Sequence, residues 1–394
     1  MDVVAVDVQV VDRDGSPIST LGRDDFEVTI DGRQRRIVSA AFMTNAQTAP
    51  HGVTPLTADA AAGRPVILAV DVASFDAAEN VRVMQAARGF VGQLPPSVEV
   101  GVVTLAPQGP GLDPTLDRAR VRRTLDAVVG QQQQMNGQFN LSSSEIIDII
   151  AESGRQGTVT AMTAQNAAAA ATARGAPVPI ATDTVLQRVQ ARECQRSGDL
   201  ACGEAIMHEA RMLAQHLEAR AEESLNGIKA LLGALRRYPG RKTVVVLSGG
   251  IAISDRPGGR IDMGNQAKIL GEQAAHANTT IYAVYVDTGF SQAYAAQSRR
   301  MRNAVSLERE RTLAGKMLDE FAGASGGTMF QDLVGAGDTP LARILRETSA
   351  YYLLGVEPAS SDRDGRARRL RVKASVRGAT VRSRQWVVMR TPAK

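Results

Sequence analysis

Asp71 closes an unbroken apolar run, Val66-Ile67-Leu68-Ala69-Val70, and Ser74 and Asp76 follow it closely. A run this short and this apolar reads as a strand buried on both faces, as in a parallel sheet. A carboxylate at the C-terminal end of such a strand lies where open α/β sheets place their ligands. A second apolar run, Thr243 to Leu247, ends in Ser248-Gly249-Gly250. Asp71, Ser74, Asp76, Ser248 and Gly249 are therefore the candidate binding residues. Asp71 has two readings: it caps the following helix or bonds the loop amides, or it faces a ligand.

Other chemistry-bearing groups are sparse. The histidines are His51, His208, His216 and His276. His208-Glu209 begins like a zinc-protease motif, but His216 lies at i+8, about 12 Å along a helix and too far for one zinc. No Gly-x-Ser-x-Gly nucleophile elbow is present. Gly258-Gly259 and Gly323-Ala324-Ser325-Gly326-Gly327 lack the Gly-Lys-Ser/Thr ending of a phosphate loop. No catalytic residues are assigned. Cys194 and Cys202 are the two cysteines. They are expected to form a disulfide, with free thiols as the alternative; a bridged pair would imply an oxidising compartment.

The elements that must position these residues fall into three parts. Residues 1–46 alternate apolar and polar positions, at Val4, Val6, Val8 and Val10 and again at Phe26, Val28 and Ile30. Asp31-Gly32 marks a hairpin, with Ile37 and Val38 on the return strand. Residues 47–63 read as a linker. Residues 64–349 alternate strand and helix, which implies a doubly wound, mostly parallel sheet. Within them, 131–203 is a low-complexity insertion containing Gln131 to Gln134 and Ala167 to Ala171. A short helix at 145–152, capped by Ser143 or Ser144, is expected inside it. Apolar residues at steps of three and four then give one long amphipathic helix over 204–237. Residues 350–394 return to β structure: Tyr351 to Val356, Leu370 to Val376 and Thr380 to Val388. The simplest topology joins the two β ends into one small antiparallel sandwich with the α/β part inserted between them.

The chain of 394 residues is 44% hydrophobic, ample for a core, but only 4% aromatic, so Ala, Val, Leu and Ile must pack it. No apolar stretch reaches membrane-spanning length of about 18 residues. The net charge of +5 is uneven: residues 361–394 hold eleven Lys or Arg against two Asp, and the rest is slightly acidic. This argues against a nucleic-acid binder. The basic tail reads as a solvated strand face.

Four strings resemble the von Willebrand factor A domain, and more closely the bacterial family of VWFA-related domain proteins. They are Val10 to Ile18 with Leu21 to Phe26, Val66 to Asp71, Gly240 to Ser248, and Tyr351 to Val356. Their order covers nearly the whole chain outside 131–203. The resemblance implies a metal-ion-dependent adhesion site at the sheet edge, whose first loop reads Asp-x-Ser-x-Ser and whose second carries an aspartate. Asp71 holds the first position, but Ala73 and Phe75 stand at the serines and Gly249 at the second carboxylate. The family's threonine ligand falls in or near the insertion and is not assigned. A hard ion such as Mg²⁺ needs those oxygens, so the site is expected to be degenerate. No cofactor is expected; Mg²⁺ on a remnant of Asp71 and Ser74 is the alternative. The expected function is a non-catalytic, metal-independent protein-binding or adhesion-type module, secreted or periplasmic, with its leader not present in this chain. No partner or oligomeric state is named. The alternatives are a hydrolase or other enzyme with its site in the helical insertion, and a structural component of an envelope assembly.

Overall fold

The computed structural model describes residues 3–44, 64–106, 109–133, 137–156, 184–194, 199–255, 261, 264–287, 304–332 and 340–389. His51, the linker 47–63, Ala167 to Ala171 and Gly258-Gly259 lie outside the described residues.

In chain order, β1 (Val4–Val11), β2 (Phe26–Ile30), β3 (Arg33–Arg35) and β4 (Ile37–Thr44) come first. An α/β series follows: β5 (Val66–Val70), α1 (Ala77–Gln93), β6 (Val100–Thr104), β7 (Gly111–Thr115) and α2 (Arg118–Asp126). The inserted helices are α3 (Ser143–Gln156), α4 (Val185–Glu193) and α5 (Leu200–Leu235). The series resumes with β8 (Lys242–Ser248), α6 (Gln266–His276), β9 (Thr279–Val286), α7 (Ala304–Ser325), β10 (Met329–Asp332) and α8 (Pro340–Thr348). β11 (Ala350–Val356), β12 (Ala367–Ala374), β13 (Thr380–Arg382) and β14 (Trp386–Val388) end it.

The molecule is mixed α/β, with one central, mostly parallel sheet and two antiparallel sheets. The central sheet runs β10-β9-β8-β5-β6-β7, parallel except for the edge strand β7. Its alternate side chains serve two cores. Ile67, Ala69, Val244, Val246, Ile281 and Ala283 meet α5, α6 and α7 on one face. Leu68, Val70, Val102, Val245 and Val284 meet α1, α2 and α8 on the other. β7 had no signal in the sequence; its Pro114 is tolerated because an edge strand leaves one row of amides unpaired.

The chain's two β ends share a second unit. β11 lies between β1 and β4, with Leu354 opposite both Val6 and Ala40. The facing sheet is β14-β12-β2-β3. Period-two positions from both sheets fill the space between: Val6, Val8 and Leu354 against Val28, Ile30 and Leu370. Tyr352 is its centre, with its ring 5.1 Å from Phe26 and 5.2 Å from Phe42, and its hydroxyl donating to the Ile18 carbonyl.

The strands and helix ends differ from the sequence expectations in several details. The hairpin at Asp31-Gly32 forms, with both residues at positive φ. Its return strand is Arg33–Arg35; Ile37 and Val38 belong to β4, in the other sheet. The stretch Thr380 to Val388 is two strands, since β13 pairs with β1 while β14 pairs with β12. The insertion helix α3 is capped by Ser142, whose hydroxyl accepts from the Glu145 amide, and not by Ser143 or Ser144. The long helix starts at Leu200 rather than 204, capped by Asp199. Its 36 residues span about 54 Å at 1.5 Å per residue.

Candidate functional site

The C-terminal edge of the central sheet brings four of the five candidate residues into one hydrogen-bonded cluster, Asp71, Ser74 and Ser248 by their side chains and Gly249 by its backbone. Asp71 follows β5 and its amide donates to the Leu247 carbonyl at the end of β8. The chain then makes a single 3-10 turn, Val72–Ser74. The turn lets the Ser74 hydroxyl donate to the Asp71 carbonyl at 2.6 Å and accept from the Gly249 amide at 2.7 Å. Ser248, the last residue of β8, donates to Asp71 Oδ2 at 2.7 Å and accepts from the Gly250 amide. Gly249 therefore joins the cluster through its backbone. A Cβ there would sit 2.5 Å from the Ser74 carbonyl oxygen, so the close approach of the two loops requires glycine.

Asp71 caps no helix with its side chain. That role falls to Asp76, whose Oδ1 accepts from the Glu79 amide at 2.7 Å in a capping box at the start of α1. Asp76 thus stands apart from the cluster. Asp71 takes its second hydroxyl from α5: Ser224 donates to Oδ1 at 2.9 Å. Asp71, Ser74, Ser224 and Ser248 are all buried. Burial raises the Asp71 carboxyl above the usual range; the Ser248 and Ser224 hydroxyls and the charge of Arg220 pull it back only in part.

Arg220 stands one helical turn before Ser224, so both point at the same edge. Sequence reasoning missed the pair. The only signal was a serine on the otherwise apolar stripe of Leu217, Ala221, Leu225 and Ile228. Arg220 makes no hydrogen bond or ion pair among the described residues, and its Nε is shielded from water. Burial lowers its affinity for its proton, against the pull of Asp71 and Glu223.

A cleft of about 90 Å³ opens above this cluster, lined by Ser74, Arg220, Ser224, Gly249, Tyr285 and Asp287 among others. Asp287 is paired with Arg311 of α7; residues 288–290 lie outside the described residues. Arg309 of α7 does not line the cleft; it ties α7 to Asp148 of α3 at 2.9 Å and to Asp255 after β8 at 2.6 Å.

The insertion contributes structure rather than a cleft-facing histidine. Cys194, at the end of α4, and Cys202, in the first turn of α5, form a disulfide with Cα atoms 6.2 Å apart. His208 and His216 are exposed on α5 and do not line the cleft. Glu209 instead accepts from the Gln138 and Phe139 amides. Among the described residues no three His, Cys, Asp or Glu are grouped as a metal site, and no helix is long and apolar enough to cross a membrane. In comparisons with known proteins the chain matches no family model, and no curated protein gives a significant match.

Proposed function

We propose that this chain is a non-catalytic protein-binding module, similar to VWFA-related domain proteins, that receives an acidic group of its partner in the cleft above Asp71 without a metal ion. The observation that carries this reading is Arg220. Its guanidinium has no hydrogen-bonding partner among the described residues, lies beside the buried carboxylate, and lines the cleft at the ligand edge of the sheet. Guanidinium is a planar donor suited to carboxylates.

The donor set argues in the same direction. Both Asp71 oxygens are already occupied by hydroxyl donors. Ala73, Phe75 and Gly249 offer no side-chain oxygen, and a cation beside the carboxylate competes with a second one. These residues do not fit an octahedral Mg²⁺.

The test uses the full chain and a short peptide bearing one glutamate. Chemical shifts of the Gly249 and Gly250 amides are followed with and without EDTA. Saturable shifts that ignore EDTA, vanish in Arg220→Met and are absent with the glutamine peptide support the proposal. Calorimetric binding of Mg²⁺ at micromolar affinity that Asp71→Ala abolishes would overturn it, as would amides unmoved by the peptide.

A further inference from the structure

At the opposite, N-terminal edge of the central sheet, where the sandwich meets the α/β part, basic side chains crowd a cavity of about 40 Å³. Arg64 precedes β5, Arg241 precedes β8, and Arg384 lies between β13 and β14. Asp7 of β1 is the only acidic residue lining the cavity among the described residues. Its two oxygens are already used: Oδ2 by Arg64 at 2.6 Å, Oδ1 by Arg241. Arg382 is matched elsewhere, by Glu347. Arg384 has no acidic partner among the described residues. It donates to the Asn278 side-chain oxygen at 3.2 Å and the Ala5 carbonyl at 2.8 Å, and its Nε is buried without an acceptor. Three guanidiniums thus face one carboxylate.

Such an excess is costly away from water. The side chains of Arg241 and Arg64 are only 12% and 20% exposed. Burial and the charge of Arg384 bring the Arg241 guanidinium down to about 9, and burial brings Arg384 down to about 10. Lys242 also lines the cavity, as do the hydroxyls of Thr279, Thr280 and Ser383. Guanidinium forks with short hydroxyls are the donors a tetrahedral oxyanion takes, and the cavity's size admits an ion rather than a nucleotide.

We propose that this junction is a binding site for a free inorganic oxyanion, phosphate or sulfate, held chiefly by Arg241 and Arg384. Because Arg384 belongs to the sandwich side and Arg241 to the central sheet, the anion ties the two together. The site is independent of the cleft above Asp71.

The test uses the full chain at constant ionic strength. ³¹P NMR of inorganic phosphate should show line broadening that sulfate competes away and chloride does not. Thermal unfolding, read by the fluorescence of Trp386 two residues from Arg384, should rise saturably with phosphate. In Arg384→Gln the affinity should fall by at least about tenfold, as expected for loss of a charge-assisted contact. Should that variant fail to fold, Arg241→Met serves as the second, and the NMR experiment on the unchanged chain stands without either. Unbroadened phosphate, or an unfolding response equal in chloride, would overturn the assignment.

Discussion

Asp71 shows what a single buried carboxylate does when hydroxyls replace water. Two serines satisfy its oxygens, yet desolvation still raises its proton affinity above that of the unfolded chain. The folded state therefore holds this proton at pH values above the ordinary carboxylate range, where the unfolded state has released it. Over those pH values this group's contribution to stability falls as pH rises, and it is regained as pH falls through the folded value. Asp71→Asn keeps the shape and removes the charge, and either serine can rotate to accept from the amide. Relative to the native chain, the variant should be more stable at pH 7 than at pH 4, measured by urea unfolding at both. The reverse trend would mean that Asp71 is held as a stabilised anion. Gly249 makes a second test. Restoring an aspartate there meets the Ser74 carbonyl at 2.5 Å from the new Cβ. Gly249→Asp should thus destabilise by about 1–3 kcal/mol and show no calorimetric Mg²⁺ binding. At this scale Asp71 and Ser248 were legible, because they end apolar runs. Arg220 and Ser224 were not, because which turn of a helix meets a sheet edge is set by docking, and no local pattern encodes it.

The helix α5 is the element that brings a distant part of the chain to the sheet edge. Its apolar stripe, from Ile206 through Leu213, Leu217 and Leu225 to Leu235, is buried along its length. Its first half packs with Ile146, Ile149 and Val189 of the inserted helices, its second half with the sheet. That stripe could be read directly from its period, and so could the strand–helix alternation on either side. The sheet partners of the short strands could not. Alternation continues smoothly through Thr380 to Val388, yet Ser383 to Gln385 carry the chain from one sheet to the other. The contact between α5 and the end of β6 is close enough to test. Gly227 lies inside the helix, where Ala normally stabilises by about 0.5–1 kcal/mol. Here a Cβ would fall 2.3 Å from the Leu105 backbone oxygen. Gly227→Ala should instead lower stability by about 1–3 kcal/mol, the cost of overpacking against backbone, read from the urea midpoint at unchanged slope. A stabilised variant would show that the helix and the loop after β6 stand further apart.

Over the whole molecule, the question is whether the split sandwich and the α/β part unfold as one. The split itself was legible, since β-like alternation at both ends leaves too few residues for two separate sandwiches. The contacts between the parts were not, because they are single polar residues. Glu347 of α8 is the clearest of them, with 0% exposure. Its carboxylate faces Arg382 of β13 at 3.2 Å and Arg343 of its own helix at 3.2 Å. Its stem packs under the turn at Gly15 that follows β1. Arg343 is partly exposed and adds little. Arg382 is 17% exposed and would be left with a largely buried, uncompensated charge if Glu347 were removed. Glu347→Ala should cost about 3–5 kcal/mol, the range for breaking a buried pair from one side. Glu347→Gln, which keeps the packing, should cost less. Two probes separate the parts: helix content in the far ultraviolet follows mainly the α/β part, and Trp386 fluorescence follows β14 of the sandwich, against which α6 packs at Gly271. If the junction couples them, both probes should shift to the same lower midpoint in Glu347→Ala. A Trp386 transition that moves while the helical one stays in place would show two independently folding units, with Glu347 serving only the sandwich.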